Sequence, residues 1–211
     1  MIGTACVVLI VLAVSPATFA AGEASQECSS CVPSRNETVA LLPRATSLVD
    51  ARRFTWSPES PERKWVYVVV HHSGTESGSV ESIHRAHRQR KDAQGNPWLG
   101  IGYHFVIGNG SGMNDGEVQS TFRWEQQIHG AHSGSQVHNA NGIGICVIGN
   151  FEQDVPTKNQ LQASEELISQ LANRYQIPAR LVIGHRNVKP TACPGKNFPL
   201  QDVIRKSLTK E

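Results

Sequence analysis

Charge is scarce in this chain. Asp, Glu, Lys and Arg make up 18% of its 211 residues, and 20 basic against 18 acidic side chains leave a net charge of +2. That balance makes no case for a nucleic-acid partner, which would want a dense basic footprint. The nearest basic block, His84 to Lys91, reads as one solvated helix face; a basic rim facing an anionic polymer is the alternative. Internal repeats and low-complexity tracts are absent, which excludes repeat arrays. The glycine-rich stretch Gly108 to Gly116 lacks the Lys-Ser/Thr ending of a phosphate loop, and its Asn-Asp-Gly reads instead as a hairpin turn. H-E-x-x-H is missing too, which removes the helix-borne zinc peptidase pattern.

Only one apolar run approaches membrane length. Ile2 to Val14 is almost wholly apolar, Pro16 breaks it, and Thr18-Phe19-Ala20-Ala21 offers small residues for cleavage. It reads as a secretory signal over residues 1–20, although its start carries no Lys or Arg. An uncleaved N-terminal anchor is the alternative. After cleavage no stable membrane span is expected, and the protein is exported, either periplasmic or secreted. Residues 21–46 are polar and read as a linker or N-terminal arm, leaving 47–211 as one domain. Asn36-Glu37-Thr38 in the arm is a glycosylation sequon, meaningful in a eukaryotic host.

Cysteines are few, and their positions sort them. Cys6 leaves with the signal, and Cys28 and Cys31 form C-S-S-C in the arm, able to bridge each other or a partner in an oxidising compartment. Cys146 sits in the apolar segment I-G-I-C-V-I-G and reads as a buried core thiol. Cys193 alone has polar company suited to chemistry.

The remaining pattern is mixed α/β. Strands are expected over Lys64–His71, Ile101–Ile107, Glu117–Phe122, Gly142–Ile148 and Ala179–Gly184. Helices are expected from Ser79 to about Lys91, over Leu200–Leu208, and from a Thr157–Gln160 capping box to about Tyr175, with Pro178 stopping that helix. Strands alternating with helices, plus one hairpin, imply a mixed sheet covered by helices.

Two distant segments carry the chemistry. V-V-V-H-H-S-G-T ends an apolar strand on His71 and His72, and G-H-R-N-V-K-P-T-A-C-P-G brackets a short loop with His185 and Cys193. Two imidazoles and one thiolate, with a fourth position open, make the catalytic rather than the structural arrangement of zinc. Pro190 stiffens the loop that holds the thiol, and Pro194-Gly195 turns the chain away after it. Side chains alternate along a strand, so only one of His71 and His72 can share a pocket with His185, and alternation leaves open which. A zinc ion so held keeps net positive charge, which suits it to amide hydrolysis.

These segments, with G-Y-H-F-V-I, G-A-H-S-G and N-G-I-G-I-C-V-I-G-N-F between them, occur in one order. They resemble the successive motifs of zinc-dependent N-acetylmuramoyl-L-alanine amidases, the family of phage lysozyme-type amidases and animal peptidoglycan recognition proteins. The resemblance covers about Val66 to Pro199. It implies a single α/β domain, a central mixed β-sheet flanked by helices, with a peptidoglycan groove above a Zn2+ ion. The family's ligand positions fall on His71, His185 and Cys193, and its catalytic tyrosine on Tyr103 of the second strand. The residue two before the cysteine is Thr191, given a catalytic role with Tyr103. His132 of the G-A-H motif lines the substrate groove or is a surface loop histidine; His129 and His138 have lesser claims, and His104 is a packed strand residue. A cell-wall-recycling sub-branch carries a glutamate base where this chain has Cys146, so Tyr103, Thr191 and the metal must suffice. The activity implied is hydrolysis of the amide between N-acetylmuramic acid and L-alanine in peptidoglycan or muropeptides. The alternative is a non-catalytic peptidoglycan-binding receptor on the same fold, a type in which the cysteine ligand is usually replaced.

Overall fold

The computed structural model describes residues 56–92 and 94–209. The signal and the whole arm, with Cys28, Cys31 and the sequon, lie outside the described residues. Five strands form one sheet: β1 (Tyr67–His72), β2 (Phe105–Ile107), β3 (Val118–Ser120), β4 (Gly142–Val147) and β5 (Val182–Gly184), in the order β3-β2-β4-β1-β5. β1 runs parallel to β4 and β5, β2 runs parallel to β4, and β3 closes a hairpin antiparallel to β2. The sheet is mixed and flanked by helices, as its alternating pattern implies.

β1 and β4 read as near-continuous apolar runs because both their faces are covered. On one face Val68, Val70, Phe105, Ile143 and Ile145 pack with Leu167, Ile168 and Leu171 of α4 (Lys158–Tyr175) and with Val203 and Ile204 of α5 (Leu200–Leu208). The opposite face carries Val106, Cys146 and Ile148, with Val80 and Ile83 of α1 (Val80–Arg88) packed on them. Fully burying such side chains contributes about 1.5–3 kcal/mol each. The helix starts match their sequence signals: Ser79 caps α1 in a box with Ser82, and Thr157 caps α4 in a box with Gln160.

Two expectations are corrected, and two helices are added that the sequence pattern did not announce. Ile101–His104 is not strand, although it is apolar and buried like one. Over its first three residues the backbone groups are taken elsewhere: the Ile101 carbonyl by Arg123 Nε, the Gly102 N–H by His87 Nδ1, and the Tyr103 carbonyl by Thr121 Oγ1. Tyr103 therefore precedes β2 instead of lying on it. Ala179–Leu181 is a 3-10 turn, and only Val182–Gly184 pairs with β1. Two short helices lacked a sequence signal, α2 (Phe122–Glu125) and α3 (Gln136–Asn141), being too short to show a period.

Candidate metal centre

Parallel pairing decides between the two histidines. His71 shares a register line with Cys146, on the face that α1 covers, and it is buried to 1% exposure. His72 turns the other way, where its Nδ1 accepts from the Phe151 N–H at 3.1 Å. Val70 pairs with Gly184, so the chain leaving β5 delivers His185 beside His71, with ring centroids 4.5 Å apart. The loop that follows brings Cys193 to the same point. It is cross-braced: Arg186 N donates to the Cys193 carbonyl, and the Arg186 guanidinium donates to the carbonyls of Ala192 and Gly195. Thr191 Oγ1 accepts from Cys193 N at 3.3 Å and stiffens the same turn.

The donor atoms of His71, His185 and Cys193 all lie within 4.8 Å of one another. Sγ of Cys193 is 3.7 Å from Nδ1 of His71, and a tetrahedral zinc holds its nitrogen and sulfur ligands about 3.6 Å apart. The donor types also suit zinc, and the protonation states can be worked out from the hydrogen bonds. The Gly142 carbonyl can only accept, so the His132 nitrogen facing it at 3.3 Å, Nε2, carries the proton. Neutral His132 then offers Nδ1 as an acceptor, and His71 Nε2–H donates to it at 3.0 Å. This leaves a lone pair on His71 Nδ1, aimed at the Cys193 sulfur. His185 follows the same logic: its Nε2–H donates to the Ser133 carbonyl at 3.0 Å, which frees its own Nδ1. Partners of this kind orient metal-binding imidazoles and raise their basicity.

The electrostatics agree. Burial, reinforced by His132 and His185, holds His71 well below the usual histidine range, so it stays neutral. Burial likewise lowers His185, against the opposing hydrogen bond to Ser133. Burial pushes the Cys193 thiol up to about 11, and the His72 N–H, donating to Sγ at 3.3 Å, works the other way. A divalent cation would deprotonate such a thiol outright. Burial is also the main cause that raises Tyr103 well above the ordinary tyrosine value, so its hydroxyl keeps its proton.

His132 is not a surface loop histidine: it is 8% exposed, its ring slotted between two glycines. A Cβ on Gly130 would stand 2.3 Å from His132 Cδ2, and one on Gly144 would stand 2.5 Å from it. His104 is packed as expected, accepting from Gly144 N through Nδ1 at 2.9 Å. Nothing in the sequence pattern marked the bond from His132 to His71, or the Ser133 carbonyl, because both come from a loop distant in the chain. Arg123 was also missed. Buried at 2% exposure, it reaches the carbonyls of Ile101 and His129 and so braces the segments that precede Tyr103 and His132.

A cavity of about 1130 Å³ opens beside this cluster, with His185, Tyr103 and His132 in its wall. Arg63, Arg90, Lys91 and Lys189 also line it, against one carboxylate, Asp92, among the described residues. Trp98 adds an aromatic surface under the Arg90 guanidinium.

Several histidines around the site are held neutral chiefly by burial: His87 near a pKa of about 4, His132 at about 3, and His104 well below 6.5. Unfolded, each titrates near 6.5. Between about pH 4 and 6.5 the unfolded chain therefore binds more protons, and stability falls as the pH falls through that window. The Tm of chelator-treated protein is expected to decline steadily from pH 7 to pH 4.5; a flat Tm would contradict this assignment.

The family model described as N-acetylmuramoyl-L-alanine amidase matches residues 61–196. Peptidoglycan-recognition protein SC2 of Drosophila melanogaster is 32% identical over 138 residues, covering 63% of this chain and 69% of the relative. Among solved structures, the endolysin N-acetylmuramoyl-L-alanine amidase LysCS from Clostridium intestinale aligns with a TM-score of 0.57 at 28% identity, over 72% of this chain and 90% of that one. A Drosophila PGRP-LB mutant in complex with tracheal cytotoxin aligns with a TM-score of 0.51 at 27% identity, over 68% of this chain and 84% of that one. Sequence motifs, fold and family match agree: the chain belongs to the N-acetylmuramoyl-L-alanine amidase family.

Proposed function

We propose that this protein is a zinc-dependent N-acetylmuramoyl-L-alanine amidase. It would hydrolyse the amide between N-acetylmuramic acid and L-alanine in peptidoglycan or muropeptides. The observation that carries this reading is the convergence of His71 Nδ1, His185 and Cys193 Sγ beside a large cavity, with both imidazoles held in the ligating tautomer. His71, His185 and Cys193 would hold the ion. When bound, zinc supplies Lewis-acid chemistry, polarising a carbonyl and making water nucleophilic near neutral pH. The chain's own groups do the rest. Tyr103, its ring centroid 5.2 Å from that of His71, keeps its proton and can donate a hydrogen bond to the oxyanion that forms on the amide carbonyl. Thr191 contributes by holding the Cys193 turn. The cationic wall formed by Arg63, Arg90, Lys91 and Lys189 suits a peptide that carries carboxylates. Export is part of the same reading and rests on the apolar run at Ile2–Val14. Among the described residues, no helix is long and apolar enough to cross a membrane.

A second reading, binding without cleavage, draws on the relatives that carry the peptidoglycan-recognition name. Defined muropeptides incubated with the protein, with and without a zinc chelator, separate the two. Release of free stem peptide that stops with chelator and returns with zinc supports the amidase; tight binding without release by a zinc-loaded protein supports the receptor. Tyr103→Phe is expected to lower kcat by about 10²-fold while leaving zinc content unchanged, since one oxyanion donor is removed. Unchanged kcat in steady-state assays would take Tyr103 out of the chemistry.

A further inference from the structure

The acceptors that orient the two metal-facing imidazoles sit on consecutive residues. His71 Nε2–H donates to the ring of His132, and His185 Nε2–H donates to the carbonyl of Ser133. Any shift of this dipeptide would disturb both ligands together. The backbone at its N-terminal side is pinned: Gly130 N donates to the Asn139 carbonyl and Ala131 N to the Gly102 carbonyl. The two backbone N–H groups of the dipeptide itself converge on one atom. Oδ1 of Asn139 accepts from His132 N at 3.0 Å and from Ser133 N at 2.9 Å. The Ser133 hydroxyl lies 2.9 Å from the same oxygen and 3.1 Å from the Ser135 carbonyl, between which it shares its proton. Asn139 in turn belongs to α3, whose cap Ser135 lies just beyond the dipeptide.

We propose that Asn139 is a positioning residue of the metal centre: its side-chain oxygen fastens His132 and Ser133, and through them sets the tautomer and direction of both His71 and His185. The inference rests on the zinc reading above. Two consecutive N–H groups converging on one oxygen leave little freedom to the peptide between them, and Ser133, whose N–H is so fixed, carries on its own carbonyl the acceptor for His185. Without the oxygen, two backbone donors must find other partners, and the loop moves by the tenths of an ångström that loosen a ligand. Aspartate retains the acceptor at the same place, whereas alanine removes it.

The test measures zinc affinity by competition with a chelator, together with ring tautomers by long-range ¹H–¹⁵N NMR of the zinc-stripped protein. Asn139→Ala is expected to bind zinc about 10–100-fold more weakly, with His71 and His185 no longer held as the Nε2–H form. Asn139→Asp is expected to stay within about threefold of the parent in affinity, with both tautomers retained, as the kept acceptor predicts. If the alanine variant does not fold, Asn139→Gln, which moves the oxygen by one methylene, is read in its place with the same expectation. Parent affinity and parent tautomers in the variant that lacks or displaces the oxygen would overturn the role of Asn139 alone. A parent protein that takes up no zinc would overturn the metal reading and this proposal with it.

Discussion

Replacing Cys193 with alanine is expected to abolish zinc uptake and to lower amidase turnover by at least about 10³-fold, since the ion's stabilisation of the transition state is worth several kcal/mol. Cys193 is the only sulfur in the candidate donor set, and its turn is braced on both sides by Arg186. Two neutral imidazoles left alone would keep too few ligands for a stable site. The substitution itself is small: the side chain is buried, and it gives up only two sulfur hydrogen bonds, one from His72 N and one with His71 Nδ1. Loss of fold is therefore not the expected cause of lost activity. A thermal shift distinguishes the two. At zinc one hundred times its Kd, the parent should gain about 2.7 kcal/mol of stability, or roughly 5–10 °C in Tm for a domain of this size. The Cys193→Ala protein should melt near the zinc-free parent and gain almost nothing from the metal. Equal zinc-induced shifts in both proteins would remove Cys193 from the ligand set.

Gly144→Ala is expected to weaken zinc binding by about 10–100-fold without touching a ligand. Gly144 lies in the buried central strand β4, with its N–H donating to His104 Nδ1 and its carbonyl accepting from His104 N. The strand cannot yield easily, so the new methyl, 2.5 Å from Cδ2 and 2.7 Å from Cγ of His132, must displace that ring. The ring would then leave the Gly142 carbonyl and release His71 Nε2. Overpacking of this kind also destabilises by about 1–3 kcal/mol. Gly78→Ala is the matched control: its Cβ would make only ordinary contacts with Ile148, at 3.6–3.7 Å. Zinc titrations of the two proteins should therefore differ, and an unchanged Kd in Gly144→Ala would show that the His132 ring is not needed to orient His71.

Much of this architecture was legible in residue order. β1 and β4 announced themselves as valine- and isoleucine-rich runs, and α4 by its Thr157 box and the spacing of Leu167, Ile168 and Leu171. Ile101–His104 misled for a physical reason. Burial gives a segment the same apolar composition whether its backbone pairs with a strand or with side chains such as Arg123, His87 and Thr121. Short helices α2 and α3 escaped because four and six residues span too few turns for a period to emerge.

By itself, the sequence determined which side chains are available for chemistry and the strands and loops that carry them: two histidines at a strand end, and a histidine and a cysteine on one stiff loop. Local propensity and spacing are enough for that, since each signal lies within a few residues. Residue pattern left His71 and His72 undivided; the family resemblance pointed to His71, and tertiary structure supplied the reason, because strand pairing chooses the face that meets His185. It also decided that His132, Ser133 and Asn139 stand behind the site, because carbonyls and tautomers acquire meaning only when distant segments meet.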